Sequence, residues 1–137
     1  MISKICLIVV ILFTSLMHAQ VPAELPSIEQ DTVYSLKDVD VKPEYPRGMK
    51  ALAHDVLKKF KLPKVDQDLD ARVIVEFIIE KEGRVTNARI IKDPGYGLAP
   101  EALKAISLLK KRWRPALKGN TAVRCFYIFP ITVRIMK

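Results

Sequence analysis

From Pro46 onward the apolar positions alternate between helical and strand spacing. Met49, Leu52, Ala53, Val56, Leu57 and Phe60 recur at i, i+3, i+4, i+7, i+8 and i+11, which predicts one apolar stripe on an amphipathic helix. Lys50, Asp55, Lys58 and Lys59 fall on its wet side, and Pro63 prevents its continuation. Next, Ala71, Val73, Val75, Phe77 and Ile79 alternate with Arg72, Ile74, Glu76, Ile78 and Glu80, a period-two strand. Lys81 to Arg84 supplies a turn around Gly83, and a second strand runs from Val85 to Lys92 to complete a hairpin. After the break at Pro94, Gly95 and Gly97, a second helix is expected from about Ala99 to Arg112. It buries Leu98, Ala102, Ile106 and Leu109, with Trp113 at its end and Pro115 as its stop. Lys118-Gly119-Asn120 makes a turn, and Val123 to Ile135 alternates Cys125, Tyr127, Phe129, Ile131, Val133 and Ile135 on one face. The predicted order is α-β-β-α-β. Two helices on one face of a three-stranded antiparallel sheet make an α+β two-layer sandwich.

The segment before Pro46 has a different character. Residues 20–45 hold Glu24, Glu29, Asp31, Asp38, Asp40 and Glu44 against Lys37 and Lys42, a balance of −4, with Pro22, Pro26 and Pro43 scattered among them. They read as an acidic extended arm, in which Val33, Tyr34 and Leu36 have the apolar character for a short strand or a docked segment. Residues 46–137 then carry +11, so the formal charge of +8 over 137 residues conceals two halves of opposite sign.

Residues 1–19 have one charge, Lys4, then an apolar run from Ile5 to Phe13 and a small residue, Ala19. That is the plan of a secretory signal peptide cut after Ala19, and the run is short against the ~20 apolar residues of a spanning helix. Retained, the same segment would be a short membrane anchor. Cleavage removes Cys6 and leaves Cys125 alone, so stability has to come from a core, and Cys125 reads as a small hydrophobe in a strand. Its other reading is a cross-link between two copies.

No catalytic constellation is present. Once the leader is cut, His54 is the lone histidine, and one Cys with one His makes no zinc set. Asp66, Asp68 and Asp70 lack the glycine and terminal glutamate of a calcium loop, so no metal or cofactor is expected. The densest basic run, Lys110-Lys111-Arg112-Trp113-Arg114, reads as a solvated helix end whose cations favour the C-terminal dipole, with Trp113 as a core plug. Its alternative is a surface for anionic partners or lipid headgroups. Export makes nucleic acid an unsuitable partner.

The last strand is the most informative element. Phe126 and Ile128 lie opposite Cys125 and Tyr127, so both faces are partly apolar, and Pro130 interrupts it. A mid-strand proline confines a strand to an edge, a start or a bulge. An exposed edge can receive an extended peptide by strand addition, or be covered by the arm or by a second copy.

Read together, these elements resemble the C-terminal domain of the TonB energy-transducer family in its short form. The resemblance rests on Lys42-Pro43-Glu44-Tyr45-Pro46 with Gly48-Met49, on Val75-Glu76-Phe77-Ile78-Ile79 and Glu82-Gly83-Arg84-Val85, and on Glu101-Ala102-Leu103. Trp113-Arg114-Pro115-Ala116 with Gly119 and Tyr127-Ile128-Phe129-Pro130-Ile131 complete it, over about residues 40–137. The resemblance implies a periplasmic domain that binds the box or plug peptide of outer-membrane TonB-dependent transporters. The pairing strand would be Arg124 to Arg134, with Phe126, Tyr127, Ile128, Pro130 and Thr132 along it and Tyr45 and Pro46 flanking. A proton-driven inner-membrane motor is the further partner the resemblance implies where the leader is retained, while a homodimer through the edge strand needs no transporter. The long linker of family transducers is missing from residues 20–45.

Overall fold

The computed structural model describes residues 32–137, which fall within one compact unit. The leader, Cys6 and the first part of the arm lie outside the described residues. In chain order the elements are β1 (Val33–Tyr34), α1 (Met49–Lys59), β2 (Leu69–Ile79), β3 (Val85–Lys92), α2 (Leu98–Ser107), β4 (Ala116–Lys118) and β5 (Thr121–Ile135).

The mixed α+β class with two helices is as expected, but the sheet has five strands, not three. Its path runs β1-β5-β2-β3, and β4 also pairs β5. β2 and β5 form its backbone, antiparallel and without a register break from Leu69↔Ile135 to Ile79↔Cys125. Odd-numbered residues of both strands face the helices: Val73, Val75, Phe77, Phe129, Ile131 and Val133 join Leu52 and Val56 of α1 and Leu98, Ala102 and Ile106 of α2 in one core. The two added strands are too short to show a period. β4 is a three-residue arm of a hairpin closed by Gly119 and Asn120, both at positive φ, as a two-residue hairpin turn requires. β1 is a two-residue strand lying parallel to β5 at Arg124 and Cys125.

β1 also changes the reading of the arm. From residue 32 to 45 the acidic stretch is laid against the domain. Val41 bridges Leu117 and Glu44 bridges Arg114 as further ladder positions. Asp40 accepts a hydrogen bond from the Gly119 N–H at 2.6 Å, and the Asp38 carbonyl accepts one from Lys118 Nζ at 2.7 Å. The Asp40 carboxylate and the Asp38 backbone thus serve the β4–β5 turn.

The second helix ends at Ser107, five residues short of the expected Arg112, so the basic run is loop and does not meet a helix dipole. The loop delivers Trp113 to the β2–β3 turn, where its backbone N–H donates to the Gly83 carbonyl at 2.9 Å. A Cβ on Gly83, whose φ is +83°, would overlap the Trp113 carbonyl, so only glycine fits both the turn and the approach. The buried Trp113 ring meets Tyr45 at 5.2 Å, Phe77 at 5.9 Å and Tyr127 at 4.9 Å, the core plug that the sequence suggested.

Candidate strand-addition edge

β5 has two edges, and among the described residues only one is paired along its length. The inner edge is held by β2 throughout. On the outer edge β4 pairs Thr121 to Val123 and β1 pairs Arg124 and Cys125. From Phe126 to Ile135, no strand among the described residues pairs the outer edge. At about 3.3 Å per residue this leaves roughly 33 Å of open backbone.

Pro130 sets the polarity of that edge. It stands opposite Ile74 in an unbroken ladder, and a proline is tolerated there when its nitrogen faces away from the partner strand. Residues of the same parity therefore direct their backbone outward: Ile128, Thr132 and Arg134 offer N–H groups, and these three with Pro130 offer carbonyls. The even-numbered side chains project from the face opposite the helices, where Phe126 and Ile128 are exposed.

The helix side of the edge has a cleft of about 240 Å³, lined by Ala53, Val56 and Leu57 of α1 and by Phe129 to Thr132 of β5. Its lining is mostly apolar, and it is wide enough for one or two side chains of an added strand. The α1 wall was not anticipated. The signal was the width of the apolar stripe: Met49 and Leu57 belong to it with Leu52 and Val56, yet both are exposed. Met49 borders the edge, since the Tyr127 hydroxyl donates to its Sδ at 2.9 Å.

The expected site residues separate into four groups. Phe126, Ile128, Pro130, Thr132 and Arg134 lie along the open edge. Arg124 lies under β1 at the closed end, and its guanidinium grips Glu80, with Nε 2.8 Å from Oε2. The Arg124 hydrogen bond, aided by one from Thr86, holds the Glu80 carboxyl below its ordinary range against the opposing effect of burial. Tyr127 turns inward to stack on Phe77 at 5.5 Å, and burial pushes its hydroxyl up.

Tyr45 and Pro46 are not brought to the edge. Tyr45 is fully buried, and its hydroxyl donates to Asp55 Oδ2 at 2.7 Å. Burial, then this hydrogen bond, pushes the Tyr45 hydroxyl well above its usual range. Hydrogen bonds from Lys111 and Tyr45 hold the Asp55 carboxyl well below the usual carboxylate range. Pro46 borders a separate cleft with Arg47, Arg112 and Arg114. Cys125 is buried with its thiol pushed up by burial, which suits the packed hydrophobe and not the cross-link. Exposed His54 stands beside Asp55 at 3.5 Å, and among the described residues no group of three His, Cys, Asp or Glu is placed to hold a metal ion. Among the same residues, no helix is long and apolar enough to cross a membrane.

A small two-layer α+β domain with a strand edge that no described residue pairs, beside an apolar cleft, has the features that backbone pairing with another protein requires. The family model of the Gram-negative bacterial TonB protein C-terminal matches residues 64–135, more than half of the chain, and the chain belongs to that family. None of the curated proteins matches it.

Proposed function

We propose that this chain is an exported, periplasmic TonB C-terminal domain. It binds an extended, periplasm-facing peptide of an outer-membrane TonB-dependent transporter by strand addition, in support of energy-coupled uptake. Residues 1–19 act as the export signal, and the binding unit begins near residue 32. The observation that carries this reading is the open outer edge of β5 from Phe126 to Ile135. Membership of the family supports it, since TonB C-terminal domains in general interact with such transporters.

On this reading the peptide pairs with the outward backbone of Ile128 to Arg134 and stops at β1. Alternate side chains of the added strand enter the Ala53–Leu57 cleft, so a peptide with an apolar residue opposite Phe129 or Ile131 binds best. Each ladder bond contributes about 1 kcal/mol net. Set against the ordering of a flexible peptide, a few such bonds and one filled cleft place the affinity between about micromolar and millimolar. No step of chemistry is involved, and the family is one of protein interaction.

The test is titration of the purified full chain with peptides from the periplasm-facing segments of transporters of the same organism. Saturable binding in that range is the expected result. No binding at millimolar peptide, together with concentration-dependent dimerisation through the edge, would assign β5 to a second copy.

A further inference from the structure

The strand-edge reading leaves most of the positive charge unused. Lys4 is the only cation before residue 32, and Glu24, Glu29 and Asp31 are the only acids, so residues 32–137 carry 22 basic and 12 acidic groups, a net +10. That excess is not evenly spread. On the sheet, three arginines are matched across strands: Arg89 with Glu76, Arg124 with Glu80, and Arg134 with Asp70. Beside the helices such pairs are fewer for the cations present.

Two segments without an acidic residue hold the excess. Residues 57–64 contribute Lys58, Lys59, Lys61 and Lys64, and residues 108–114 contribute Lys110, Lys111, Arg112 and Arg114, all exposed. The fold brings the segments together, since Lys58 and Lys59 line one open cleft of about 260 Å³ with Lys110 and Lys111. Lys111 pairs with Asp55 at 2.7 Å and Arg114 reaches Glu44 at 3.8 Å. Lys58, Lys59, Lys61, Lys64, Lys110 and Arg112 have no acidic partner among the described residues.

A second observation selects the partner. Between these cations stand leucines that the core does not take: Leu57 is 60% exposed, Leu62 55% and Leu108 40%. A soluble acidic polypeptide would neutralise the lysines and leave the leucines in water. A bilayer with anionic headgroups satisfies both, because lysines meet phosphates while leucines enter the acyl boundary.

We propose that the face formed by residues 57–64 and 108–114 docks on an anionic lipid bilayer. Lys58, Lys59, Lys61, Lys64, Lys110 and Arg112 contact phosphate headgroups, and Leu62 and Leu108 enter the interface. This is independent of the peptide site, although α1 supplies both: Leu57 borders the strand-edge cleft, so a docked domain holds β5 next to the membrane surface.

The experiment is vesicle flotation with the full chain, comparing phosphatidylcholine vesicles with vesicles that also contain phosphatidylglycerol. Residues 1–31 are common to every variant, so the readout is the ratio of binding to the two vesicle types. The chain prefers anionic vesicles, and added salt erodes the preference. Combined Lys58→Gln, Lys59→Gln, Lys61→Gln and Lys64→Gln lowers the ratio at least about tenfold, since four headgroup-facing cations are removed. Leu62→Ser with Leu108→Ser lowers anionic binding several-fold with all charges kept. These side chains are exposed, and unchanged thermal unfolding verifies the fold. Equal binding to both vesicles, or a charge variant that binds like the parent, overturns the proposal. Tighter binding to soluble polyglutamate than to vesicles, unmoved by the leucine changes, also overturns it and assigns the face to an acidic polypeptide.

Discussion

The sheet ends in two edges that are built in opposite ways. β3 closes one side with eight residues, its register against β2 shifts twice, Asn87 sits at φ +49°, and Arg89 and Lys92 stand along it. Short length, irregular register and charge are the devices by which proteins prevent edge pairing. β5 on the other side runs fifteen residues, holds one register with β2 across eleven pairs, and presents Phe126 and Ile128 to solvent. Its blunting devices are Pro130, which removes a donor and leaves the acceptor, and Arg134 near its end. The difference shows that protection is applied selectively: one edge is shut, and the other is left regular and extended beside an apolar cleft.

The comparison is broken most violently by placing proline on the wrong parity of β5. Ile131→Pro removes a ladder hydrogen bond to β2 and a buried side chain opposite Val73, and a stability loss on the order of 3 kcal/mol is expected in urea unfolding. Thr132→Pro, one residue away and facing outward, should cost under about 1 kcal/mol of stability because no β2 bond uses its nitrogen. If both unfold equally, the parity assigned from Pro130 is wrong.

The closed end of β5 gives the next effect. The Arg124–Glu80 pair is largely withdrawn from solvent and hydrogen-bonded, whereas Arg134–Asp70 at the open end is mostly exposed. Glu80→Gln should cost ~1–3 kcal/mol, as expected for hydrogen bonds to a charged group. Because the folded Glu80 carboxyl is held below its ordinary 4.5, its contribution is present above that value and lost as pH falls through the folded pKa. The stability gap between wild type and Glu80→Gln should therefore narrow in acid. Asp70→Asn should stay within about 0.5 kcal/mol at neutral pH, as exposed ion pairs do.

Peptide binding gives subtler but more specific effects. Thr132→Pro should weaken peptide binding about tenfold, ~1.4 kcal/mol, through the loss of one outward donor and steric interference with the added strand. Leu57→Ser should weaken peptides carrying an apolar residue for the cleft by about threefold, and leave others unchanged. Both effects are read by calorimetric titration, and neither should follow an equivalent change on β3.

Much of this contrast was legible in the sequence. The period-two run ending in Ile135 and its proline pointed to an edge strand, and the mixed α+β class with two helices followed from spacing alone. What was not legible depends on elements too short to have a period, or on long-range partners. Val33-Tyr34 and Ala116-Leu117-Lys118 become strands only because β5 is present to pair them. The second helix stops at Ser107 because Trp113 is needed at Gly83, a contact between distant segments that helical propensity does not encode. Tyr45 was placed at the binding surface by position in a motif, while burial against Trp113 and a hydrogen bond to Asp55 make it part of the frame. The exposed side of α1 was hidden because an apolar stripe looks the same whether the core or a ligand covers it.

The most direct test of the central claim is amide hydrogen exchange, resolved by residue, on the full chain with and without saturating transporter peptide. Strand addition at the open edge predicts new protection at the amides of Ile128, Thr132 and Arg134, with β3 unchanged. Saturable binding that leaves those three amides exchanging at their free-state rates would contradict it.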